Sequence, residues 1–99
     1  MKICKVVGKV QATVKHPSLE GERLLAVREL DGSGSAIGTL SIAVDAAGAG
    51  TGDIVAVATG GAAARALPGG SSAADAAIVA ILDLIVVDGK EIFSRREEK

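Results

Sequence analysis

The sequence predicts an all-β protein, a small barrel or sandwich that carries one short helix. Three observations lead there. Residues 4–14 alternate in polarity with the period of a strand, and Ile54-Val55-Ala56-Val57-Ala58 is apolar at consecutive positions. Further short candidate strands follow at roughly regular spacing, separated by turn signals such as Asp31-Gly32-Ser33-Gly34 and Asp88-Gly89.

In the first segment the even positions are Cys4, Val6, Gly8, Val10, Ala12 and Val14, while Lys5, Lys9, Gln11, Thr13 and Lys15 fall on odd ones. One strand with an inward even face is therefore expected from Cys4 to Val14. The stretch from His16 to Gly21 breaks that pattern, because Pro17 removes a ladder donor and Gly21 permits a turn. A second strand is expected from about Arg23 to Leu30 and a third from Ile37 to Val44, the latter weakened by Gly38 and Ala43.

The doubly apolar fourth strand, Ile54 to Ala58, is expected to face the barrel interior on one side and another protein on the other. Ala62 to Leu67 suits a turn or two of helix, since alanine is the best helix former and Pro68-Gly69-Gly70 stops it. The segment Ser71 to Val87 is open to two readings. Ser72, Asp75 and a run of alanines favour helix; Ile78-Val79 and Ile85-Val86-Val87 favour strand, which is preferred. Asp88-Gly89 then offers a tight hairpin turn into Lys90-Glu91-Ile92-Phe93. The chain reads as one domain over residues 1–99, with 89–99 as a C-terminal extension whose last six residues, from Ser94, look solvated.

Ninety-nine residues bury a limited fraction of their surface, so outside support is expected. Cys4 is the only cysteine and His16 the only histidine, which leaves no disulfide and no recognisable metal cluster or cofactor motif. Self-association is the remaining support. Hydrophobic residues make up 48% of the chain, yet Phe93 is the only aromatic, so the core must be built from small aliphatic pieces. A net charge of −1 supplies no field for nucleic acid or an anionic membrane. The N-terminus has no long apolar signal region, and the run from Ala76 to Val87 is too short to span a bilayer and contains Asp83; a cytoplasmic protein is expected.

Little here could catalyse. The loop Gly48-Ala49-Gly50-Thr51-Gly52 lacks the spacing of either nucleotide-binding glycine motif and leads into a strand, where those motifs lead into a helix. Small residues also gather where copies of one loop crowd a symmetry axis, and this loop is a candidate for such a place. Cys4 reads as a small buried hydrophobe and His16 as a turn residue. Asp45 and Arg65 flank the fourth strand and are candidates to pair, within one copy or between neighbours. Asp83 is expected to face water or a rim contact, because burying it unpaired would be costly.

Taken together, Gly8-Lys9-Val10, Ala12-Thr13-Val14-Lys15-His16-Pro17, Gly21 with Leu24-Leu25, Ala43-Val44-Asp45, Gly48-Ala49-Gly50, Gly52-Asp53, Gly60 with Ala64-Arg65, and Asp75-Ala76 with Ile78-Val79 and Asp83 follow one another in a specific order. In that order the sequence resembles the CcmL/EutN family of bacterial microcompartment vertex proteins. It departs from the family at Gly61-Ala62-Ala63, where serines often stand, and the segment after Asp88 lies outside the pattern. The resemblance implies a small OB-like five-stranded β-barrel with one short helix. It also implies a ring-shaped homopentamer that closes the vertices of a polyhedral shell, with hexagonal shell tiles as partners and an enzyme core inside. The ring contacts are expected at Gly48, Ala49, Gly50, Gly60, Gly61, Arg65, Asp45 and Asp83, with the first and last strands. The alternative is an OB-fold protein that binds single-stranded nucleic acid; one phenylalanine near the C-terminus and a net charge of −1 argue against it. An enzyme is not expected.

Overall fold

The computed structural model describes residues 1–67 and 73–95. Its strands are β1 (Lys2–Val10), β2 (Leu24–Leu30), β3 (Ala36–Asp45), β4 (Ile54–Thr59), β5 (Ala76–Ile81), β6 (Leu84–Val87) and β7 (Lys90–Ser94). The helix α1 is Gly61–Arg65, and a single 3-10 turn covers Pro17–Leu19. Five strands close a barrel in the order β1-β2-β3-β5-β4, and β6 and β7 form a separate two-stranded sheet. The expected small barrel with one short helix is what forms.

The barrel interior is aliphatic. Cys4 and Val6 of β1, Leu25 and Val27 of β2, Ala43 of β3, Val55 and Val57 of β4 and Ile78 of β5 meet there, joined by Ala49 from the β3–β4 loop. A smaller cluster lies on the outside of the sheet, where Ala63 and Leu67 pack against Val44 and Ala77. Each side chain removed from water in these clusters contributes roughly 1.5–3 kcal/mol for a valine, leucine or isoleucine, which is why a core without aromatics still needs nearly every strand to supply members.

The first strand stops at Val10, short of the expected Val14. Val10 pairs with Leu24, the first residue of β2, so the chain beyond it has no partner strand. Lys15 donates to the carbonyl of Ala12 and folds this stretch into a loop. A bulge between Val6 and Gly8 also shifts the register: Val6 faces Val27, whereas Gly8 and Val10 face Ala26 and Leu24. An extra residue in one strand reverses the facing of everything after it, so only Cys4 and Val6 of the expected even set enter the core.

All of Ile54 to Ala58 is buried within a single copy, and α1 packs against both β4 and β5. A neighbouring protein is therefore not what covers the second face of β4, contrary to expectation. In the ambiguous segment, strand prevails over helix: β-branched residues line β5 and β6, which are separated at Leu82-Asp83. Ser71 and Ser72 lie outside the described residues. Asp88 and Gly89 adopt φ of 52° and 74°, the left-handed pair of a type I′ hairpin turn, and β7 returns from it along β6.

Two features of the β2–β3 ribbon, one within its strands and one in its turn, are fixed by specific chemistry. Gly38 lies against Glu29, where the β2–β3 register shifts, and a Cβ there would sit 2.7 Å from the Glu29 Cβ and 2.8 Å from its carbonyl oxygen. Asp31 accepts hydrogen bonds from the Ser33 hydroxyl at 2.7 Å and from the backbone N–H groups of Ser33 and Ser35. The Ser33 hydroxyl, followed by those N–H groups, holds the Asp31 carboxyl below its ordinary value.

Gly38→Ala should lower stability by about 1–3 kcal/mol in urea denaturation, because its clash is with backbone, while Gly32→Ala, which meets nothing, should be neutral. Because the folded Asp31 pKa is depressed, its contribution is present above the unfolded value of 3.8 and is lost as pH falls through the folded value. The stability gap between the wild-type protein and Asp31→Asn should thus narrow on acidification below about pH 4.

Candidate subunit-contact surface

The loop from Asp45 to Asp53 is organised by a single carboxylate. Oδ1 of Asp45 accepts from the N–H groups of Ala47, Gly48 and Ala49 at 3.0–3.1 Å, and Oδ2 accepts from Ala49 at 3.0 Å. Arg23 completes the set with an Nη1–Oδ2 distance of 2.7 Å and a second bond to the Ala49 carbonyl at 3.1 Å. The Asp45 side chain is only 1% exposed, while Arg23 is half exposed. A buried carboxylate with one guanidinium and several N–H donors is fully compensated, and it can fix a loop that has almost no side chains to do so.

That arrangement corrects the expected pairing within the copy: Asp45 binds Arg23, and Arg65 forms no ion pair among the described residues. The signal was weak because Arg23 and Asp45 stand 22 residues apart and meet only through the β2–β3 hairpin register. Ala49 turns its methyl group into the barrel core. Gly48 has φ of 81°, which favours glycine, whereas Gly50 has room for a Cβ with nothing within 4 Å. Gly50 N–H donates to the Asp53 carboxylate, which closes the loop before β4.

Gly48 borders one cleft with Ala66 and Leu67, close to the end of α1, while Gly60 borders another with Thr39, Ser41, Thr59 and Asp75. Gly60, with φ of 62°, precedes α1 as a helix cap without a side chain, and Arg65 closes the helix where a cation suits the carbonyl end. Asp83 follows β5; its side chain is 80% exposed and stands 3.9 Å from Arg95. The eight residues expected at contacts thus occupy several places: Asp45, Gly48, Ala49 and Gly50 share one loop, Gly60, Gly61 and Arg65 belong to α1 and its cap, and Asp83 leads into β6.

Neither of the two reactive residue types is set up for chemistry. Burial pushes the Cys4 thiol above its ordinary value, with Glu29 adding to the effect and Lys2 opposing it, so the reactive thiolate is disfavoured. Nδ1 of His16 accepts from the Ser18 N–H as a cap for the 3-10 turn. No group of three or more His, Cys, Asp or Glu side chains suited to a metal occurs among the described residues.

What the surface does carry is grease. Ile37, Leu40 and Ile42 on β3 and Leu84, Val86 and Val87 on β6 are 47–71% exposed in the isolated copy. Sequence reading missed the β3 group, because the strand pattern does not reveal which sheet edge lacks a partner. A small aliphatic barrel with a rigid glycine loop and apolar flanks defines a packing module. Comparisons with known proteins agree with that class.

The family model described as Ethanolamine utilisation protein EutN/carboxysome matches residues 1–83, and the chain belongs to this family. It is 36% identical over 97 residues to the carboxysome shell vertex protein CcmL of Synechococcus elongatus, covering 98% of each chain. A solved structure of the carboxysome subunit CcmL superposes with a TM-score of 0.90 at 36% identity, over 97% of this chain and 100% of the other. The GrpN pentameric microcompartment shell protein from Rhodospirillum rubrum aligns with a TM-score of 0.80 at 38% identity, over 88% of this chain and all of that one.

Asp45→Ala should cost on the order of 3 kcal/mol, because it strands several N–H groups and a guanidinium. Arg65→Ala breaks no ion pair among the described residues of the copy and should cost the fold of the single copy less than about 1 kcal/mol, so that any larger loss in a thermal scan reports a contact between copies.

Proposed function

We infer that the chain is a structural shell protein that assembles as a ring of five and caps the vertices of a polyhedral bacterial microcompartment in the cytoplasm. The observation that carries this reading is the exposed apolar surface of β3 and β6 on a barrel matched over nearly its whole length to shell vertex proteins. Single-stranded nucleic acid is a poorer fit. Its binding needs stacking aromatics and a basic groove, and the chain has one phenylalanine and a net charge of −1.

The mechanism is geometric. Identical heterologous contacts close when the rotation between neighbours divides a full turn, and a five-membered ring brings curvature to a flat lattice of hexagonal tiles. Those tiles are the proposed partners, with an enzyme core inside the closed shell. Within the ring, Asp45 and Ala49 hold the shape of the β3–β4 loop, and Gly48 and Gly50 present its surface towards the axis. Gly60 and Gly61 keep the α1 cap low enough for a neighbour to approach, and Arg65, Asp83 and the first and last strands supply rim contacts.

Gly50→Trp tests the axis placement cleanly, since a side chain at Gly50 meets nothing in the isolated copy. The variant should keep the fold by circular dichroism but lose the five-copy mass in native mass spectrometry. A variant ring of unchanged copy number would remove this loop from the axis.

A further inference from the structure

We propose that the barrel mouth between β1 and β2 is a binding site for a small phosphate-bearing anion, held by Lys9, Lys15 and Arg23. All three residues come from one copy, so the site does not depend on how copies meet. Three observations point to it.

The first is where the bulge in β1 sends Lys9. Before the bulge, Cys4 and Val6 enter the core, while Lys5 stands on the outer face. Past it, Lys9 pairs with Leu25, and cross-strand partners share a face of the sheet, so Lys9 lies on the side of that buried leucine. An unbulged strand would have put this ammonium on the outside with Lys5. Lys9 makes no ion pair among the described residues, and its charge at the mouth is not matched by a carboxylate of its own.

The second is a guanidinium already held in place. Arg23 stands two residues before Leu25, and both of its hydrogen bonds among the described residues, to Asp45 Oδ2 at 2.7 Å and the Ala49 carbonyl at 3.1 Å, come from Nη1. The Nε and Nη2 N–H groups are left for a ligand. A guanidinium fixed from behind gives up little further freedom when it meets an oxyanion in a forked geometry. Lys15 approaches from the β1–β2 loop. Its side chain is only 20% exposed, yet its ammonium has as partners a carbonyl at 3.3 Å and the exposed Glu20 carboxylate at 4.0 Å. Contacts that long leave a largely sheltered ammonium short of a strong acceptor.

The third is the shape and lining of the cleft. Its volume is about 280 Å³, at the small end for a ligand pocket, and barrel mouths are a usual place for one. Leu25 supplies apolar contact, the three cations and the Gln11 amide supply donors, and Glu22 is the one carboxylate in the lining. Such a cleft suits a phosphate group on a short carbon chain. A nucleic-acid strand is a poor fit, because no aromatic lines the cleft to stack a base.

The test is calorimetric titration of the assembled protein at constant ionic strength with inorganic phosphate and, separately, with glycerol 3-phosphate. Two variants with the same change of charge are compared with the wild-type protein: Lys9→Gln at the mouth and Lys5→Gln on the outer face of the same strand. Circular dichroism and native mass check that both keep the wild-type fold and copy number. Saturable binding should weaken about tenfold or more in Lys9→Gln and stay within about twofold in Lys5→Gln. Tighter binding of glycerol 3-phosphate assigns the site to a phosphate ester, and equal or tighter binding of inorganic phosphate assigns it to the free ion. No saturable binding of either anion to the wild-type protein, or an equal loss in the two lysine variants, overturns the site and leaves the shell reading standing.

Discussion

The constraint on which the rest depends is the small volume of the barrel interior. Nine residues, none of them aromatic, fill it: Cys4, Val6, Leu25, Val27, Ala43, Ala49, Val55, Val57 and Ile78. A chain that is 48% hydrophobic has more apolar side chains than that space and the small outer cluster under α1 can take. The surplus is left on the surface in strands, where it is held in a fixed geometry. Burying it against another copy gains roughly 25 cal/mol for each Å² removed from water, so assembly supplies stability that the single barrel lacks.

For such a surplus to yield one defined assembly, the contact surfaces must be rigid. The Asp45 carboxylate provides this for the loop after β3, where its bonds to Arg23 and three backbone N–H groups replace the side-chain packing that glycine and alanine cannot offer. Gly38 does the same for the β2–β3 ribbon by letting the backbone press on Glu29. Both features shape backbone, and neither brings a nucleophile, base or metal ligand into reach.

Much of this was legible in the sequence. The apolar run at Ile54 to Ala58, the Asp88-Gly89 turn and the alanines of α1 are local signals, and each forms the element it implies. What escaped detection depends on residues far apart in the chain. The end of β1 at Val10 is set by where β2 begins, and the bulge at Val7 by the pairing of Val6 with Val27. The ion pair of Asp45 with Arg23 needs the hairpin register to exist before it can be read. The cover on the second face of β4 was assigned to another protein because a strand buried on both sides gives no hint of what buries it. The open edge of β3 is likewise a property of the closed sheet, invisible to periodicity.

The most direct test of the account is the native mass of the unmodified protein across a wide concentration range, read with sedimentation velocity. Five copies that persist on dilution to the micromolar range are the expected result, since the apolar strands then stay covered. A well-folded, solitary subunit at high concentration, with its β3 and β6 side chains still in water, would contradict it.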